Sequence, residues 1–166
     1  MDIIDRAFLV AEKAHHNQTY DIYPYIYHIK MVYDTAKTLG YDQSILVACI
    51  LHDILEDTGI SYNDINKAFG LEIAEIVFCV TDELGRNRKE RKEKTYPKIR
   101  SNWKAVAVKI CDRISNVAHS NEYNSKMKEC YSKENEDFLK NIFNPDHPQS
   151  ELNKAYELLK NVSNNE

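Results

Sequence analysis

Apolar side chains return every three or four residues over segments 3–14, 27–39, 44–55, 73–80 and 105–117. That spacing gives an α-helix one apolar face. No stretch alternates long enough to make a strand. Segment 106–110, VAVKI, is β-branched enough to suggest one, but it runs without a breaker into CDRISNVAH, which favours helix. The rare glycines and prolines punctuate helices rather than hairpins. Gly40 stops the second helix, Gly59 follows the third, Gly85 opens a charged loop and Pro97 starts a new helix. The expected fold is all-α, a single-domain helical bundle over residues 1–160, with a polar tail at 161–166 that should fray.

At 166 residues and 43% apolar content, one domain can bury a sizeable core. The formal charge of −4 exerts no overall pull on nucleic acid or an anionic membrane, so neither is an expected partner and any anion site must be local. Cys49, Cys79, Cys111 and Cys130 lack the CxxC spacing of a zinc site and mostly sit in apolar helical runs, as buried thiols would. Acidic residues interrupt the first apolar run, no cleavage pattern follows it, and no 18-residue apolar stretch occurs. A cytoplasmic protein is expected. Composition does not speak to oligomeric state.

His52 and Asp53 adjoin the apolar run LVACIL, which would otherwise bury them. A buried, unpaired carboxylate costs several kcal/mol, so the pair needs a cation or exposure. Alone, it could be a solvated helix end. His28 in PYIYHI and Asp112 in VKICDR change the weighting, because two imidazoles and two carboxylates suit a six-coordinate divalent ion such as manganese, with positions left for water and substrate. Iron, cobalt or nickel would also fit. Glu56 and Asp57 follow one turn after His52, so Glu56 shares its face and could serve as a general acid or base.

Together PYIYHI, LHDILEDTGIS and KICDRISNV resemble the hydrolase domain of Rel/SpoT-type enzymes and the small alarmone hydrolases, over roughly residues 1–145. The order and separations of the three motifs match that family, and the HDxxED run is long. The resemblance implies an all-helical His-Asp (HD) domain that binds Mn²⁺ through His28, His52, Asp53 and Asp112. Glu56 and Asp57 would activate the hydrolytic water, Asn116 would contact the ribose, and the charged loop, with Arg88, Lys89, Arg91 and Lys92 as candidates, would contact phosphates. The implied reaction removes the 3′-pyrophosphate from guanosine tetra- or pentaphosphate, making the partner a small nucleotide. Another phosphorylated nucleotide, such as a nucleoside monophosphate or NADPH, fits the same chemistry. An inert domain that senses nucleotides or binds protein is an alternative of another class, though every ligand and both acids are present.

One segment departs from the family. The AHxGQxR pattern, whose arginine covers the guanine base, reads AHHNQTY over residues 14–20, so Asn17 replaces glycine and Tyr20 replaces arginine. An aromatic ring stacks on any base, so Tyr20 should contact a purine with little preference for guanine over adenine.

Overall fold

The computed structural model describes residues 1–164. Helices α1 (Ile3–Ala14) and α2 (Ile26–Thr38) flank a hairpin of two short strands, β1 (Thr19–Tyr20) and β2 (Tyr23–Pro24). There follow α3 (Gln43–Leu51), α4 (Ile54–Asp57), α5 (Tyr62–Phe69), α6 (Leu71–Val80), α7 (Arg88–Ser101), α8 (Trp103–Tyr123), α9 (Ser125–Ile142) and α10 (Gln149–Ser163). The all-α expectation holds, and VAVKI lies within α8. None of the described helices is long and apolar enough to cross a membrane.

Side-chain caps set where many of these helices begin. Asp42 accepts from the Ile45 amide, Asn102 from Lys104 and Ala105, and Asn124 from Met127, each satisfying amides that a helix start leaves unpaired. Ser61 and Asp64 form a reciprocal capping box at α5. Gly40, at φ +81°, closes α2 in a conformation that costs other residues a steric penalty. Asp21 turns the hairpin at φ +57°, one of the few residue types that tolerates that region.

The core forms around α8. This helix packs against α2, α3, α6, α7, α9 and α10, so apolar residues such as Val106, Val108 and Ile110 are buried around much of its circumference. Helix α3 is likewise apolar on several sides, and Ile45 through Leu51 apart from Leu46 are fully covered. Each such Ile or Leu contributes about 1.5–3 kcal/mol through burial. The His-Asp pair therefore sits at the end of one of the most deeply buried helices.

Several boundaries differ from the sequence expectation. The run 44–55 is not one helix: α3 stops at Leu51, and His52 and Asp53 form the turn before α4. The charged loop is α7, started by Asn87 accepting from the Glu90 amide, and Pro97 lies inside that helix rather than at its start. Cys49, Cys79 and Cys111 are buried, but Cys130 is only half-buried. Helix α10 continues to Ser163, into the stretch read as a tail; residues 165 and 166 lie outside the described residues.

Candidate active site

Helices α2 and α3 pack together and both meet α8, bringing His28, His52 and Asp112 to one point. The turn at His52 takes Asp53 off the α3 axis, so that its Oδ2 lies 2.9 Å from His52 Nε2. His28 Nε2 is 3.3 Å from His52 Nε2 and 3.3 Å from Asp112 Oδ1. His28, His52 and Asp53 form the tightest set, each offering a donor atom within 4.8 Å of the others. Asp112 joins through the imidazoles, its Oδ1 also lying 3.7 Å from His52 Nε2. Both histidines are buried.

Hydrogen bonding tests whether this group suits a cation. His52 Nδ1 lies 2.8 Å from the Cys49 carbonyl, which can only accept, so Nδ1 carries a proton and Nε2, turned toward His28, is the nitrogen left to meet a cation or a second proton. Nitrogen lone pairs and carboxylate oxygens at such short range repel one another unless something positive lies among them. Burial disfavours a charged His52, yet Asp53 and Asp112 push its pKa up to about 9. The donor set and its field fit a divalent metal ion.

The two acids lie beside this group. Glu56 Oε2 accepts from the Asp82 amide at 3.2 Å, and Arg91 stands 4.0 Å from its other oxygen. Burial, with Asp82 and Asp53 nearby, raises the Glu56 carboxyl; burial and Asp53 raise that of Asp57. Gln18 donates to the Asp57 carbonyl at 2.8 Å and is itself held by His15 at 2.7 Å, tying the approach to the hairpin onto α4.

A cleft extends from Asp112, with Arg88, Lys92, Lys109, Arg113 and Asn116 among its lining. Glu134 of α9 gathers its cations. Arg88 binds it through two nitrogens at 2.9 and 3.1 Å, Lys92 donates to it, and Arg113 reaches it at 3.3 Å. Of the four basic candidates, Arg88 and Lys92 thus face the cleft. Arg91 turns to Glu56, and Lys89 is exposed beside Glu93. Tyr20 and Asn116 are joined, the phenol donating to Asn116 Oδ1 at 2.8 Å.

A model of the HD domain matches residues 7–145. The chain belongs to the HD domain family. Among its relatives, the bifunctional (p)ppGpp synthase/hydrolase SpoT of Escherichia coli K12 is 33% identical over 120 residues, which are 68% of this chain and 17% of that protein. The guanosine-3′,5′-bis(diphosphate) 3′-pyrophosphohydrolase MESH1 of Drosophila melanogaster is 31% identical over 97 residues, or 57% of this chain and 54% of that one. The HD domain thus spans about half of the fly protein and under a fifth of the bacterial one. The structure of a metazoan SpoT ortholog, reported to hydrolyse ppGpp, superposes with a TM-score of 0.77 at 22% identity, covering 97% of this chain and 96% of that one. A Listeria monocytogenes EGD-e protein follows at 0.66 and 24%, with 82% and 93% covered. At these identities the superpositions establish the fold.

The HD domain also uses residues that sequence reasoning passed over. Tyr25 donates its hydroxyl to Asp53 Oδ2 and stacks on His15 at 4.7 Å. Lys109 lies 3.5 Å from Asp112 Oδ2, and although burial works against its ammonium, Asp112 and Asp82 hold its pKa well above the usual range. Its spacing, three residues before Asp112 on a helix, was a readable signal. Arg113 carried none: it follows Asp112 directly, and only the packing of α9 shows that it faces Glu134.

Proposed function

We propose that this HD domain is a metal-dependent nucleotide phosphohydrolase that removes the 3′-pyrophosphate of guanosine tetra- or pentaphosphate or a related alarmone such as ppApp. In this reading His28, His52, Asp53 and Asp112 hold one Mn²⁺ ion. The observation that carries it is the convergence of two imidazole Nε2 atoms 3.3 Å apart with two carboxylates, on a chain whose relatives include guanosine-3′,5′-bis(diphosphate) 3′-pyrophosphohydrolases. A divalent ion supplies electrophilic polarisation of the phosphoryl group and a nucleophile at neutral pH.

The chain's own groups do the rest. Glu56, with its pKa raised and its geometry fixed by the Asp82 amide, takes and returns the proton of the attacking water, and Asp57 orients that water. Lys109 offsets negative charge beside Asp112. Arg88, Lys92 and Arg113 offer phosphate contacts along the cleft, Asn116 offers an amide to the ribose, and Tyr20 lines the far side of Asn116.

The test incubates Mn²⁺-loaded protein with ppGpp, ppApp, nucleoside monophosphates and NADPH, and follows pyrophosphate and phosphate separately. Pyrophosphate from an alarmone is the expected result. Phosphate from a monophosphate or NADPH would keep the metal chemistry and replace the substrate, and no product from any of them would leave a binding domain. Asp53→Ala should lose stoichiometric metal.

A further inference from the structure

Tyr20 takes the place of an arginine in the motif that this chain otherwise resembles, and its surroundings give it work besides meeting a base. Its ring stacks on the His28 imidazole, centroids 4.5 Å apart and planes 19° from parallel. The His119 ring lies 4.7 Å away at a tilt, and Tyr25 presents an edge at 6.5 Å. Much of the phenol is thus committed to protein neighbours. Its hydroxyl donates to Asn116 Oδ1 at 2.8 Å, and the Asn116 amide donates onward to Asp112 Oδ1 at 2.6 Å.

This relay has a direction. Asp112, which only accepts, draws the amide nitrogen of Asn116 toward itself, and the carboxamide oxygen left facing outward is fixed by the Tyr20 hydroxyl, which donates to it. Without the hydroxyl, the Asn116 oxygen loses its anchor and the amide can swing away from Asp112 Oδ1, the atom 3.3 Å from His28 Nε2. One side chain therefore touches one imidazole directly and reaches one carboxylate through a single amide.

We propose that Tyr20 is a positioning residue for the metal centre, aiming Asp112 through Asn116 and holding the His28 ring by stacking, so that it sets metal affinity more than base affinity. The proposal rests on the reading of His28, His52, Asp53 and Asp112 as metal ligands. Partners of this kind, one contact beyond the ligands, typically change metal affinity by 10–100-fold.

The experiment titrates metal-free wild type, Tyr20→Phe, Asn116→Ala and the double variant with Mn²⁺ against a competing chelator, after circular dichroism shows each is folded. Tyr20→Phe keeps the stacked ring and should bind Mn²⁺ about tenfold more weakly than wild type. The double variant should be no weaker than Asn116→Ala alone, since both changes cut one relay. Tyr20→Leu, which also loses the ring on His28, should be weaker than Tyr20→Phe. Wild-type Mn²⁺ affinity in Tyr20→Phe would overturn the relay while leaving the ligand set standing, and a Tyr20→Leu variant with wild-type Mn²⁺ affinity and a raised KM would assign the ring to the base site instead. A wild-type protein that takes up no Mn²⁺ would overturn the ligand assignment and the relay with it.

Discussion

Glu56 and Asp57 are neighbours in sequence with unequal surroundings. Glu56 accepts a backbone hydrogen bond from Asp82 and faces Arg91 across 4.0 Å, while the backbone carbonyl of Asp57 receives Gln18. Burial raises both carboxyls, with Asp82 and Asp53 adding to it at Glu56 and Asp53 at Asp57. A carboxyl lifted toward neutrality is better matched to passing a proton at physiological pH. Glu56→Gln preserves shape and can still accept from the Asp82 amide. It should lower turnover by about a hundredfold or more with metal content unchanged, read by steady-state kinetics and elemental analysis of one preparation. An unchanged rate would assign proton transfer elsewhere.

At the scale of elements, α7 and α9 are fastened by Glu134 through Arg88 and Lys92, with Arg113 of α8 closing the clamp. Burial alone would raise the Glu134 carboxyl, but hydrogen bonds from Arg88 and Lys92 hold it well below its ordinary value of 4.5. A carboxyl depressed in the folded state stabilises that state above its unfolded pKa, and the contribution is lost as pH falls toward the folded one. Wild type should therefore melt above Glu134→Gln near neutrality, with the gap narrowing between about pH 5 and pH 2. A pH-independent gap would mean that the glutamate acts by packing. Much of this architecture was legible in the sequence. Periodic apolar residues marked α1, α2, α6 and the centre of α8, because each packs one face or more into the core. The break at His52–Asp53 was hidden, since the apolar run continues into Ile54 and Leu55 on both sides of the turn. Helix α7 was hidden for the opposite reason: Arg88 through Lys94 has no apolar stripe, although Asn87 and Glu90 carry a cap signal. Strands of two residues are too short to show alternation. The four ligand candidates were legible because His and Asp next to apolar runs demand a partner; the contact of Tyr25 with Asp53 depends on how α2 meets the α3–α4 turn, whereas Lys109 stands one turn from Asp112 on the same helix.

For the molecule as a whole, an ion held by residues of α2, of the α3–α4 turn and of α8 would tie together segments far apart in sequence. Binding only to the folded state would then raise stability by about 2.7 kcal/mol when free Mn²⁺ is a hundred times its dissociation constant. For a domain of this size that corresponds to a melting midpoint raised by roughly 5–10 °C, reversed by a chelator. A midpoint indifferent to both would count against the site. Helix α8 sets a further constraint. Lys109, Asp112, Asn116 and His119 follow one another at intervals of three and four residues along a single rod buried on nearly every side. At 1.5 Å per residue they span about 15 Å. A rod so enclosed cannot stretch or bend locally, so it works as a ruler whose graduations are turns of helix. Exchanging the side chain at Asn116 or His119 would change what meets a bound molecule without moving the marks themselves. The distance from the carboxylate to whatever grips the other end is fixed by the helix and by the core packed around it.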